Sequence, residues 1–234
     1  MYSLPQKLVA EFVGTFTLIF IGAGSICADQ YLRAANQPGF GPLAIAAAHG
    51  LAIAIMVTAI GHISGGHLNP AVTIGFWVTR RLGTIQSLCY WFAQIAGAVF
   101  AAYLLTLIVP EATWNACALG TPALASDFTR LHGMAMEAVT SFLLVFVVFA
   151  TAADIKGAFD KVAGFAIGLT VMMDILIAGP FTGAAMNPAR AFGPALVSRH
   201  WANQGVYWVG PLIGGIIAGF LYNAIFLRDQ PPAS

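Results

Sequence analysis

The chain has 234 residues, of which 59% are hydrophobic and only 8% charged, and its mean hydropathy is +0.82. A soluble domain carries about a quarter charged residues, so composition excludes a water-facing globular surface and points to an integral membrane protein. The net charge of +1 gives no reason to expect nucleic acid, and three cysteines (Cys27, Cys89, Cys117) without pattern imply no disulfide framework, metal centre or cofactor.

About 20 apolar residues cross the hydrocarbon as a helix. Taken in chain order, the first predicted span is 8–28. Lys7 before it superficially resembles a signal peptide, but the stretch is long enough to span and no small-residue cleavage site follows, so it is read as a retained helix. Ala34 to Thr79 then holds no Asp, Glu, Lys or Arg, which is more length than one helix needs. It divides into a span at 42–61 and a segment at 62–79 that is too rich in Gly, Pro and Asn to cross. The uncharged run Leu82 to Pro110 gives the third span, 85–109, and a loop over 110–131 follows. Spans four and five are 132–153 and 160–179, a second irregular apolar segment is 180–198, and the last span is 205–228.

The two halves resemble each other. Glu11-Phe-Val-Gly-Thr-Phe opens the first span and Glu137-Ala-Val-Thr-Ser-Phe lies near the start of the fourth. The predicted fold class is therefore an all-α membrane protein: one domain over 1–234, six transmembrane helices plus two half-helices, with repeats at about 1–110 and 131–234. Three spans per half is an odd number, so the repeats have opposite orientation, an architecture used for transport. With both termini cytoplasmic, Lys7, Arg80, Arg81, Lys156, Lys161 and Arg228 lie inside, against Arg33, Arg130 and Arg199 outside. The positive-inside rule favours that choice. The termini are short, without regulatory tails.

Each irregular segment carries Asn-Pro-Ala, at Asn69-Pro70-Ala71 and Asn187-Pro188-Ala189, and Arg190 follows the second copy. Asn is a preferred N-cap and Pro suits the first helical position, where its missing N–H has no partner to lose. Two short helices beginning at Pro70 and Pro188 follow. With the asparagine oxygens occupied by capping, the amide NH₂ groups are expected to donate into a shared space, beside helix ends that each carry about half a positive charge. Ahead of them, Gly65, Gly66, His67, Gly183, Ala184 and Ala185 are expected to present backbone carbonyls to a single file. One such tripeptide can be a turn alone; two, in equivalent places of inverted repeats, cannot be dismissed that way.

At these residues the chain resembles the aquaporins of the major intrinsic protein family, and the resemblance covers essentially all of it. The segments that carry it are His62-Ile-Ser-Gly-Gly-His-Leu-Asn-Pro-Ala-Val-Thr, Met186-Asn-Pro-Ala-Arg-Ala-Phe-Gly-Pro-Ala and Tyr207-Trp-Val-Gly-Pro. The resemblance implies a homotetramer in lipid, each protomer with its own pore, passing water in single file without a cofactor. It also implies an outer selectivity filter at His49, Ile175, Ala184 and Arg190. Water-selective members have Phe and His at the first two of these positions. His and Ile here, with Ala150-Thr-Ala-Ala-Asp, are similar to the plant tonoplast intrinsic proteins.

Ile175 removes a donor and shortens one wall, so passage of ammonia, hydrogen peroxide or urea beside water is expected. In one tonoplast subgroup a third-loop histidine assists ammonia, whereas this loop has none between Pro110 and Arg130, and His132 lies at its far end. Glycerol facilitators carry Asp directly after the pore arginine. Ala191 stands there, and Ala195 and Tyr207-Trp208 follow the water-channel pattern. Ala184 stands where some mercury-sensitive members carry cysteine.

Glu11 and Glu137, carboxylates at membrane depth, read either as a proton relay or as acceptors for the irregular loops, and the resemblance favours loop support. His67 is expected to offer its carbonyl while its ring bonds inward, and His62 to brace the same loop. Asp174 is expected to face a neighbouring helix, and Cys27 and Cys89 to be packing residues. The rival classes are a secondary transporter or a glycerol-type facilitator, and a non-conducting scaffold of the same fold. An enzyme is not expected, since no nucleophile–base pair is present. For the host membrane, the short termini favour a bacterial cytoplasmic membrane and the filter a plant vacuole.

Overall fold

A computed structural model of the chain describes residues 2–156 and 162–228. Lys161, the first two residues of the 160–179 span and the segment 229–234 lie outside the described residues. Nine α-helices are described, and six are long and apolar enough to cross a membrane: α1 (Leu4–Ala34), α2 (Gly41–Ser64), α4 (Thr84–Ile108), α6 (Arg130–Val148), α7 (Ala163–Thr182) and α9 (Val206–Phe226). The half-helices α3 (Pro70–Val78) and α8 (Pro188–Ser198) start at the two prolines. The remaining helix, α5 (Glu111–Ala116), lies in the loop between the halves and is followed by a 3₁₀ turn at Ala118–Gly120. A π-helical turn, Phe149–Ala153, extends α6.

α1 is longer than its hydropathy predicts, and local polar chemistry explains both ends. Ser3 and Gln6 form a capping box, with the Ser3 N–H donating to Gln6 Oε1 at 2.8 Å. At the other end, Arg33 Nε donates to Asp29 Oδ2 at 2.7 Å, while the Gly41 N–H donates to Asp29 Oδ1 at 2.8 Å. That i,i+4 pair carries the helix past the apolar core, since 31 residues span about 46 Å against a hydrocarbon layer of about 30 Å.

The halves pack as inverted copies. α1 lies on α4 and α2, α6 lies on α9 and α7, and α2 against α7 joins them. The half-helices cross over: α3 of the first half packs on α9 of the second, and α8 of the second packs on α4 of the first. Neither half can therefore complete its core alone. Small residues permit this closeness, as membrane helices require. A Cβ at Gly215 on α9, for example, would collide with the carbonyl oxygen of Ala71 on α3. Outward, Leu51, Ile85, Phe92 and Leu107 are exposed and apolar, a surface suited to lipid or to a neighbouring copy.

Candidate functional site

The two irregular loops are built alike, and each hangs on one buried carboxylate. α2 ends at Gly65 (φ 90°) and α7 at Gly183 (φ 78°), a left-handed turn that glycine adopts freely. In the first half, Glu11 Oε1 accepts from Ser64 Oγ (2.7 Å) and the His67 N–H (2.9 Å), and Oε2 from the Leu68 N–H (2.7 Å) and Gln94 Nε2 (2.8 Å). In the second, Glu137 Oε1 accepts from Thr182 Oγ1 (2.7 Å) and the Ala185 N–H (2.9 Å), and Oε2 from the Met186 N–H (2.6 Å). The parallel extends to tyrosines, whose hydroxyls donate to the last carbonyls of the helices: Tyr90 to Ser64 and Tyr207 to Thr182. Both carboxylates are wholly buried, so the loops depend on them for acceptors and they depend on the loops for donors.

At the centre, Asn69 Oδ1 accepts from the Ala71 N–H at 2.7 Å, and Asn187 Oδ1 from the Ala189 and Arg190 N–H groups at 3.0 and 3.2 Å. The oxygens are thus committed to capping. The amides are not wholly free, however. Asn69 Nδ2 donates across to the Met186 carbonyl and Asn187 Nδ2 to the Leu68 carbonyl, each at 2.9 Å. The expectation that both NH₂ groups point into the shared space is corrected accordingly: one hydrogen of each ties the loops together, and one is left to donate. The physical reason is the orphaned carbonyl just before each asparagine, which needs a donor in a dry interior.

His49, Ile175, Ala184 and Arg190 come together with Asn69 and Asn187 around one narrow cavity of about 30 Å³. That is room for a few waters at most, since one needs about 10–15 Å³ of such volume. Arg190 Nη1 donates to the Gly120 carbonyl at 2.8 Å, and Nη2 lies 3.4 Å from His49 Nε2. His49 Nδ1 lies 2.9 Å from the Ile45 carbonyl, which can only accept, so Nδ1 carries the proton and Nε2 accepts from the guanidinium. Arg190 Nε is buried without a protein partner. Of the five guanidinium N–H bonds two are used and the Nε–H is closed off in the protein, which leaves one N–H on each Nη as a spare donor, while His49 has none left to give.

On the side of the α1 N-terminus lies a wider vestibule of about 450 Å³, lined by Lys7, His62, Gly65, His67, Arg81 and Gln86 among others. Thr73 Oγ1 donates to the Asn69 carbonyl and accepts from Gln94 Nε2, and it meets His67 Nδ1 at 3.1 Å. Its one hydrogen being spent, it must accept from His67 as well, which leaves the Nε2 lone pair of that ring as an acceptor.

Other expectations fare differently. His62 does not brace the loop: it is exposed and meets the Tyr2 ring edge-on, because Glu11 already satisfies the loop's N–H groups. Gly183 and Gly66 are not among the residues lining the narrow cavity; Gly183 lies against Pro122, and Gly66 against α2. Ala184 and Ala185 do line it. Asp174 is buried beside the filter helix face rather than on the cavity, and neither of its oxygens meets a hydrogen-bond donor in the protein. His132 is exposed and rests on Phe128, away from Arg190. The cysteines, patternless in sequence, include a close pair, with Cys117 Sγ 3.5 Å from Cys27 Sγ. Sequence reasoning missed Gly120 entirely, because a backbone carbonyl leaves no side-chain signature.

Comparison with known proteins shows the family and the fold. The family model described as Major intrinsic protein matches residues 2–222. The chain is 44% identical to the probable aquaporin TIP3-2 of Arabidopsis thaliana over 97% of its own length and 86% of that protein. It is also 44% identical to the probable aquaporin TIP2-1 of Oryza sativa subsp. japonica, covering 98% and 91%. Among solved structures, the aquaglyceroporin from Plasmodium falciparum superposes with a TM-score of 0.82 at 21% identity, over 97% of this chain and 98% of that one, a likeness of fold alone.

Proposed function

The chain belongs to the major intrinsic protein family, and from that premise we propose that it is a passive channel which conducts water in single file and excludes protons and ions. The observation that carries this reading is the cavity of about 30 Å³ in which the side-chain groups left over are donors: one N–H on each Nη of Arg190 and one amide N–H from each asparagine. Water reaching the two asparagines accepts from both. Its own hydrogens then point away along the file in both directions, so no continuous donor chain for a proton passes the centre. Arg190 and the two half-helix N-termini add positive potential against cations.

In this reading His49, Ile175, Ala184 and Arg190 form the filter, and carbonyls of Ala184 and Ala185 at the cavity and of Gly65 and His67 at the vestibule offer acceptors on either side. Ile175 and Ala184 give two walls without donors, which supports passage of ammonia, hydrogen peroxide or urea beside water. Glycerol is disfavoured by Ala191 after the arginine and by the narrowness of the cavity. The protein is an integral multi-pass membrane protein, with six apolar spans. Both termini on the cytoplasmic face and a homotetrameric assembly complete the proposal. The relatives named above are plant proteins, which removes the preference for a bacterial membrane drawn from the short termini.

Stopped-flow light scattering on proteoliposomes tests the water claim, and permeability no higher than that of empty liposomes would refute it. For the filter, Arg190→Val and His49→Phe should move the water-to-ammonia permeability ratio in opposite directions. The first removes donors and charge, and the second narrows the aperture. Unchanged ratios in both would refute the filter.

A further inference from the structure

We propose that Cys27 and Cys117 are a redox-active thiol pair which a hydroperoxide closes into a disulfide, altering the loop that holds the filter arginine. The two sulfurs lie 3.5 Å apart although 90 residues separate them, one on the transmembrane helix α1 and the other in the loop between the halves. A disulfide bond is about 2.05 Å long, so closure needs an approach of only about 1.5 Å.

The pair is reachable and chemically suited to oxidation. Cys117 is half-buried, while Cys27 is covered by protein but lines a separate apolar cavity of about 380 Å³ with Gly24, Ala28, Tyr31 and Val109. The hydrogen bond with Cys27 holds the Cys117 thiol below its ordinary pKa; burial opposes this, and N–H groups of Leu119 and Gly120 assist it. The thiolate is the form that attacks peroxide. Cys117 sulfur takes one oxygen from hydrogen peroxide, giving a sulfenic acid and, after proton uptake by the leaving hydroxide, water. The Cys27 thiol then displaces the sulfenic hydroxyl as a second water. Two thiols and one peroxide thus give one disulfide and two waters, with two electrons passing from sulfur to peroxide. On the topology proposed above, the pair faces the non-cytoplasmic side, where disulfides persist.

The consequence for the pore follows from the loop's hydrogen bonds. The Gly120 N–H donates to the Cys117 carbonyl at 2.9 Å, and the Gly120 carbonyl accepts from Arg190 Nη1 at 2.8 Å. Between them, Ala118 and Leu119 sit at φ 47° and 55°, a conformation with little slack for non-glycine residues. Drawing Cys117 toward α1 therefore displaces the Gly120 carbonyl. Arg190 Nη1, left without its acceptor, turns toward water in the constriction, and water flow falls.

The test uses purified channel in proteoliposomes with Cys89→Ala as background, and adds Cys117→Ser and Cys27→Ala separately. After hydrogen peroxide, catalase and N-ethylmaleimide, peptide mass spectrometry should show a Cys27–Cys117 cross-link. Water permeability should fall about twofold or more, as expected when a filter arginine moves, and dithiothreitol should restore it. Either cysteine variant should lose both effects. Peroxide that oxidises methionines without a cross-linked peptide overturns the site, and a cross-link with unchanged permeability overturns its coupling to the filter. Reduced protein that conducts no water would instead refute the channel reading, so the two failures are distinguishable.

Discussion

Glu137→Gln is the substitution whose outcome follows most directly from the geometry. The replacement is nearly isosteric, yet it turns one acceptor oxygen into a donor. The least costly orientation keeps an oxygen where Oε1 stands, facing Thr182 Oγ1 and the Ala185 N–H, and sets the NH₂ against the Met186 N–H. One charge-assisted hydrogen bond is then lost and its buried donor orphaned, and the other two bonds become neutral. The cost sums to about 2.5–6 kcal/mol, at 1.5–3 for a bond to a charged group and 1–3 for an unsatisfied donor.

The same step loosens the centre of the pore, because the Met186 carbonyl is the acceptor for Asn69 Nδ2. The apparent melting temperature of the detergent-solubilised protein should fall by about 10 °C, and water permeability per folded channel should fall with it. The assays are a thermal-shift measurement and stopped-flow permeability normalised to folded protein. A variant with the parent's melting temperature and permeability would show that Glu137 does not support the loop, and the reasoning would fail.

Removing the hydroxyl in Tyr90→Phe or Tyr207→Phe deletes a bond to the Ser64 or Thr182 carbonyl. Each should cost about 1 kcal/mol, with the larger loss at Tyr90, whose hydroxyl also accepts from Gln86 Nε2 at 2.9 Å; unchanged thermal stability in both would contradict their support of the loops. Gly215→Ala sets a methyl against the Ala71 carbonyl on α3. It should destabilise by about 1–3 kcal/mol and reduce water permeability through displacement of the first half-helix, whereas wild-type behaviour would show that the α3–α9 contact has room to spare.

What was legible in sequence followed the range of the physics involved. The spans were readable because bilayer thickness sets a minimum length of apolar chain, and the half-helices because an N-cap and an N1 proline are local features. α1 outran its hydropathy because Asp29 and Arg33 neutralise each other, an i,i+4 event that an apolar count does not register. Long-range hydrogen bonds were hidden. Ser64, Thr182 and Tyr90 carry no role of their own along the chain, and Tyr207 is marked there only by its segment; all four acquire their roles from partners tens of residues away. The crossed amides of Asn69 and Asn187 depend on two loops meeting, and Gly120 acts through its backbone. His62 misled for the opposite reason: it lies in the same segment as His67, yet its ring faces the vestibule.

The pseudo-symmetry of the two loops is close up to the asparagines and breaks immediately after them. Three residues past Asn187 stands Arg190; three past Asn69 stands Val72, buried within the main apolar core. Four past, Ala191 answers to Thr73. A symmetric scaffold explains how two half-helices meet, but a filter needs one constriction, and a buried guanidinium needs acceptors built for it. On the second side these are the Gly120 carbonyl and His49 Nε2. Val72, by contrast, is enclosed with apolar neighbours, so Val72→Arg would bury a charge at a cost of several kcal/mol. The expected outcome is a protein that aggregates on fluorescence-detected size-exclusion chromatography. Recovery of a monodisperse, water-conducting Val72→Arg channel would refute the claim that the repeats differ here because the first lacks a place for the cation.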